Sequence, residues 1–166
     1  MHRPVLRELA QRGTPFQGLL YAGLMRTGEG LRVIEFNCRF GDPETQSLLP
    51  RLESDLLPLL AGDLSQPLEL AARAAVTVVL SGGGYPERGD QGTPIEGVEA
   101  AEATGALVFH AGTALHDGRL VTNGGRILNV VGLGDTLAAA RTAAYEAAAH
   151  IDFADMHCRS DIAAGV

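Results

Sequence analysis

A chain of 166 residues that is 46% apolar and 20% charged is long enough for one domain, or one and part of a second, and this excludes disorder as its main state. A net charge of −7 excludes a broad basic face for nucleic acid or for an anionic membrane, and no apolar run reaches the roughly 18 residues of a spanning helix. All 13 basic residues are arginine, so neither a phosphate-binding loop ending in Gly-Lys-Ser/Thr nor a Schiff-base amine is complete in this chain.

In chain order, the spacing predicts a short helix over residues 4–12, with Pro4 in its first turn, Val5, Leu6 and Leu9 on one face and Gly13 ending it. The run 16–25 reads as a strand carrying two glycines. After the turn RTGEG, 31–37 alternates as a second strand, with Leu31, Val33, Glu35 and Asn37 expected on one face, and the two form an antiparallel hairpin. Asp42-Pro43 reads as a helix start, a capping carboxylate followed by proline. Pro50 interrupts that helix, and Ser54-Asp55 begins another to about Ala61.

Residues 62–73 read as a linker, with a domain boundary near 70. Beyond it, 74–80 is a continuous β-branched run suited to a buried strand, 81–94 a long loop, and 106–112, 118–123 and 124–134 three more strands. Asp135 is expected to cap an alanine-rich helix over 136–150, with Leu137, Ala140, Ala144 and Ala148 on its inner face. The expected fold is α+β: antiparallel strands plus helices over 1–70, then a small, mostly antiparallel sheet domain over 71–166 with the C-terminal helix packed on it. The N-terminus shows no apolar segment of the secretory kind, and Cys38 and Cys158 read as reduced thiols, so the expected compartment is the cytoplasm.

The strongest chemical signal is EFNCRFGDPET. Glu35 and Asn37 are two apart on a strand, so both side chains leave one face, and a carboxylate beside an amide oxygen makes a pair of hard ligands suited to a magnesium ion on nucleotide phosphates. The residues alone leave open a partly exposed strand end. Arg39 and Gly41 sit where the strand hands over to the helix start, suited to an anionic group or to a structural pairing of Arg39 with Asp42 or Glu44.

The runs FQGLLYAGLM and VIEFNCRFGDPETQSLLPRLESDLLPLLA, followed by VVLSGGGYP, VFHAGT and VTNGGRIL, resemble the C-terminal part of the phosphoribosylamine–glycine ligase family of the ATP-grasp superfamily, over residues 4–162. The resemblance implies that residues 1–70 are the C-terminal half of an ATP-grasp lobe. It implies a purine-biosynthesis reaction in which ATP phosphorylates glycine and 5-phosphoribosylamine attacks the acyl phosphate. Glu35 and Asn37 would be metal ligands for Mg²⁺ or Mn²⁺. Arg39, as catalytic and substrate-binding residue, and the turn Gly41, Asp42, Pro43 and Glu44 would face the γ-phosphate and glycine. Asn123, Gly124, Gly125 and Arg126, read from the residues as a hairpin turn, would reach the ribose phosphate.

The family's N-terminal ATP-binding portion has no counterpart here. The expectation is therefore a truncated chain or one piece of a split enzyme, inactive alone, its missing portion carried by the same or a separate chain; the alternative is a non-catalytic ligand-binding or remnant module. Ser81 to Gly84 reads as a flexible loop or a phosphate cradle, and His110 as a strand histidine or a base.

Overall fold

The computed structural model describes residues 1–63 and 65–165. Its first elements are helix α1 (His2–Gln11) and the hairpin of β1 (Tyr21–Thr27) and β2 (Gly30–Asn37), paired antiparallel. The hairpin is shorter than expected at its start. Tyr21 pairs with Asn37, the last residue of β2, so residues 16–20 have no partner strand. Between Gly23–Glu35 and Leu24–Val33 the register slips by one residue, and Ile34 bulges out.

That bulge corrects the predicted alternation. Cross-strand partners share a face, so Leu31 and Val33 go with Arg26 and Leu24, whereas Glu35 and Asn37 go with Gly23 and Tyr21 on the opposite face. The apolar residues therefore give no cover to the polar pair. They are themselves open, with Leu31 56% and Ile34 62% exposed, because the hairpin is a two-stranded sheet among the described residues. Helix α1 docks through His2, whose ring meets Phe36 edge-on at 5.8 Å and whose Nε2 lies 2.9 Å from the Leu20 carbonyl oxygen.

Helix α2 (Glu44–Leu48) leads into a 3₁₀ turn (Leu49–Arg51), and α3 (Leu56–Leu60) follows, capped as expected by the Asp55 carboxylate on the Leu57 N–H. The remaining strands are β3 (Ala74–Ser81), β4 (Asp90–Pro94), β5 (Leu107–His110), β6 (Thr113–His116), β7 (Arg119–Gly124) and β8 (Arg126–Gly134), with α4 (Val98–Ala103) between β4 and β5 and α5 (Leu137–Ala148) last. The α+β class holds, and every strand pair is antiparallel. The single expected sheet is in fact two, ordered β3-β8-β5 and β4-β7-β6. Strand β4 lay inside the predicted loop because DQGTP has almost no β-branched or aromatic content; its pairing with β7 makes it a strand.

The core lies between the first of these sheets and α5. Val76, Val78 and Leu80 alternate inward from β3 and meet Leu128 and Val130 of β8, all 4% exposed or less. Helix α5 lays Ala140, Ala144, Ala147 and Ala148 on this face. The approach is close because Gly132 and Gly134 offer no side chain: a Cβ on Gly132 would stand 2.2 Å from the Ala140 carbonyl oxygen. The cap differs from expectation. Thr136, not Asp135, accepts from the Ala139 N–H, at 3.1 Å. Both cysteines are free, and burial pushes the Cys158 thiol up.

Candidate active site

Period-two geometry places Glu35 and Asn37 together at the end of β2, where the Asn37 amide Nδ2 donates to Glu35 Oε1 at 2.7 Å. The two side chains share a face, as the alternation within EFN requires. Gly23 lies under them: a Cβ there would come within 3.2 Å of Glu35 Cγ and 3.7 Å of the Tyr21 ring. Tyr21 thus stands beside the pair, and its hydroxyl donates to Glu44 Oε1 at 2.8 Å. The Glu44 carboxylate, first as hydrogen-bond acceptor and then, after partial burial, as a charge joined by that of Glu35, holds the Tyr21 phenol above its ordinary range. Arg39 acts weakly the other way.

The turn that carries Gly41 to Glu44 closes against this face. A Cβ on Gly41 would lie 2.5 Å from Glu44 Oε2 and 2.9 Å from the Tyr21 ring, so only glycine lets turn and ring meet. A cavity of about 470 Å³ opens here, its lining including Tyr21, Gly41, Glu44 and Thr45 together with Leu19 and Phe40. Arg39 Nη1 donates to the neighbouring Phe40 carbonyl at 2.8 Å, and among the described residues no carboxylate pairs with it. The structural pairing of Arg39 with Asp42 or Glu44 is therefore absent.

Asp42 is not the helix cap expected of it. Pro43 holds the cap position of α2, without a side-chain cap bond. Asp42 instead faces the second half of the chain. Its carboxylate pairs with Arg126 Nη2 at 2.9 Å and accepts from Gln46 Nε2 at 3.1 Å, while Arg126 Nη1 donates to the Asp42 carbonyl at 2.9 Å. The motifs GDPE and NGGR, more than 80 residues apart, meet through this clamp. A second contact sets Ser47 of α2 against Thr77 of β3, with hydroxyl oxygens 2.6 Å apart.

The NGGR segment is not a hairpin turn. Strands β7 and β8 belong to different sheets, and the chain crosses from one to the other at Gly124-Gly125. The glycines serve close approach. A Cβ on Gly124 would lie 2.9 Å from Gly112 Cα, and one on Gly125 would lie 2.7 Å from the Tyr85 ring. Arg126 is spent on Asp42, and Asn123 stands exposed at the end of β7.

The chain is similar to known proteins over nearly all of its length. The description "Phosphoribosylglycinamide synthetase, C domain" matches residues 75–165, more than half of the chain. The chain belongs to the phosphoribosylglycinamide synthetase family. The same family's ATP-grasp (A) domain matches residues 1–45. The phosphoribosylamine–glycine ligase of Mesorhizobium japonicum is 47% identical over 164 residues, covering 96% of this chain and 39% of that protein. The ligase of Corynebacterium ammoniagenes is 49% identical over 165 residues, covering 96% and 38%. The crystal structure of phosphoribosylamine–glycine ligase from Thermotoga maritima superposes with a TM-score of 0.75 at 37% identity, over 93% of this chain and 39% of that one. The chain therefore spans about 39% of the length of these relatives.

Tyr21, which stands beside the Glu35–Asn37 pair and donates to Glu44, is the residue of this face that sequence reasoning missed. It reads as one more aromatic in a strand. The available signal was its pairing with Asn37, which the hairpin length sets and the sequence does not print. The loop from Ser81 is a set of tight turns, with the Tyr85 N–H on the Gly82 carbonyl and the Arg88 N–H on the Gly84 carbonyl. His110 sits at the exposed end of β5, its Nδ1 3.0 Å from the Thr113 hydroxyl. No helix among the described residues is long and apolar enough to cross a membrane.

Proposed function

We propose that this chain supplies one wall of an ATP-dependent carboxylate–amine ligase site that joins glycine to 5-phosphoribosylamine in purine biosynthesis. The observation that carries this reading is the convergence of the Glu35–Asn37 pair and the Gly41–Glu44 turn on one face of the hairpin, with Arg39, two residues beyond Asn37, left without a carboxylate partner among the described residues. The reaction transfers the γ-phosphoryl of ATP to the glycine carboxylate. The amine then displaces phosphate, and glycinamide ribonucleotide, ADP and phosphate result. Such transfer asks the protein for charge neutralisation and positioning more than for an acid or base.

The donor set fits a hard divalent cation. Glu35 and Asn37 offer one carboxylate and one amide oxygen, and a turn of the Asn37 amide exchanges the N–H now on Glu35 for the carbonyl oxygen. Among the described residues no group of three or more acidic, histidine or cysteine side chains gathers to hold a metal. Two protein ligands suit Mg²⁺ or Mn²⁺, which complete their shells with water and substrate phosphates. When bound, the ion supplies neutralisation of the phosphate charge. Arg39 supplies a second positive group for the phosphoryl or the glycine carboxylate, and Asp42, Pro43 and Glu44 shape the turn beside it. Arg126 holds the turn through Asp42, and Asn123, Gly124, Gly125 and Arg126 would reach the ribose phosphate. We further propose a division near residue 70 between the ATP-grasp part and the C-terminal domain, and the cytoplasm as the compartment.

A polypeptide of these 166 residues alone lacks the opposite wall for ATP and forfeits positioning that can be worth about 7–11 kcal/mol. It is expected to show no ligase turnover. Fused to the remaining segments of the corynebacterial relative, it is expected to form glycinamide ribonucleotide with ATP and glycine, and Glu35→Gln in that chimera should abolish the activity. A well-folded chimera without product, or one indifferent to Glu35→Gln, overturns the reading.

A further inference from the structure

Tyr21 has no place in the ligase chemistry just described, yet it is the residue around which the site is assembled. Its position in β1, opposite Asn37, turns the ring onto the Glu35 face. There the ring is clamped between the hairpin and the turn. Gly23 leaves room on one side and Gly41 on the other, where a Cβ would come within 2.9 Å of the ring. Across that gap the hydroxyl donates to Glu44 Oε1 at 2.8 Å, and among the described residues it is the side-chain donor that holds this carboxylate.

We propose that Tyr21 is a positioning residue: it fixes the Glu44 carboxylate over Gly41, so that the second oxygen accepts from the ammonium group of the amino-acid substrate. This rests on the ligase reading and deepens it. An α-amino acid zwitterion asks for a carboxylate and a cation within one small molecule's length. Glu44 Oε2 is unused by Tyr21, and Arg39, two residues beyond the end of β2, has no carboxylate partner among the described residues. A carboxylate on a free two-methylene arm samples many rotamers, and one held by a rigid phenol is already oriented, so the entropic cost of binding falls. Tyr21 does not touch the reacting atoms in this arrangement. Its effect passes through Glu44.

The test is a double-mutant cycle in the chimeric ligase. Tyr21→Phe removes the hydroxyl and keeps the ring. It is expected to raise the KM for glycine about tenfold, the scale of one hydrogen bond to a charged group, with kcat and the KM for ATP within about twofold. Glu44→Gln is expected to raise the same KM at least as much, and Tyr21→Phe added to Glu44→Gln is expected to cost nothing further. Gly41→Ala, which drives a methyl between the same two side chains, should reproduce the pattern while Tyr21 and Glu44 are both present. Circular dichroism of each variant separates misfolding from mispositioning. An unchanged KM for glycine in a folded Tyr21→Phe protein, or full additivity with Glu44→Gln, overturns the proposal and leaves the ligase reading standing. A wild-type chimera that makes no product overturns the ligase reading, and this proposal with it.

Discussion

Two half-buried carboxylates show how differently one residue type serves this chain. Asp42 was expected to cap a helix, and it instead holds Arg126 by two contacts at 2.9 Å, one to its carboxylate and one to its carbonyl. Both partners are 34% exposed, so solvent screens the pair and its value is about 1 kcal/mol at most. What it gives is position, since it fixes the turn of the site to the second sheet system. Asp90 is different. The hydroxyls of Thr122 and then Thr93 hold its carboxyl below the ordinary value of 3.8, so the folded state prefers it ionised. Its contribution to stability is therefore present above about pH 4 and lost as pH falls through the depressed folded value. Asp90→Asn is expected to lower stability by about 1 kcal/mol near neutral pH, with the gap from the parent chain closing as the solution is taken below pH 4. Urea unfolding followed by circular dichroism at several pH values measures it. A gap that widens toward acid contradicts this assignment.

At the scale of elements, the contact of α5 with β8 is the clearest case of sequence serving packing. The helix brings alanine, and the strand brings glycine at two positions on one face. The pair closes to backbone contact, with Gly132 against the peptide groups of Ala140 and Ala144. Gly132→Ala places a Cβ 2.2 Å from one backbone oxygen and 2.3 Å from a backbone nitrogen, and neither atom is free to swing aside. The helix must lift from the sheet. The expected loss is about 2–3 kcal/mol, in the range of overpacked cores, read as a lower denaturation midpoint with the m-value unchanged. The hairpin is the opposite case. Its register slips at Ile34, and one extra residue moves the Leu31–Val33 pair to the face away from Glu35.

The whole molecule is uneven in how well it covers itself. The C-terminal sheets and α5 bury a continuous core, whereas Leu24, Met25, Leu31, Val33 and Ile34 of the hairpin stand open, as do Leu57, Leu60 and Leu68. A cavity of about 510 Å³, lined largely by leucines, among them Leu49 of the 3₁₀ turn and Leu56, Leu59 and Leu60 of α3, continues this apolar surface. Surfaces of this kind self-associate in water. A polypeptide of these 166 residues is expected to form oligomers or aggregates at tens of micromolar, and light scattering after size exclusion would detect them. A clean monomer across that range would show that the exposed leucines do not drive association.

Periodicity and residue chemistry determined a good part of this. The strand pair with EFN at its end, the β-branched run of β3, the alanine face of α5 and the Glu35–Asn37 side-by-side placement were all legible, because each depends on contacts within a few residues. Tertiary structure decided the rest. The short elements β4, α4 and β6 carry too few residues for a period to show. NGGR crosses between two sheets because its glycines meet Gly112 and Tyr85, residues that no local pattern connects to it. Asp42 faces Arg126 and Tyr21 faces Glu44 for the same reason. The sequence offers several short-range partners for each polar group, and only the closed chain brings the long-range one to hydrogen-bonding distance.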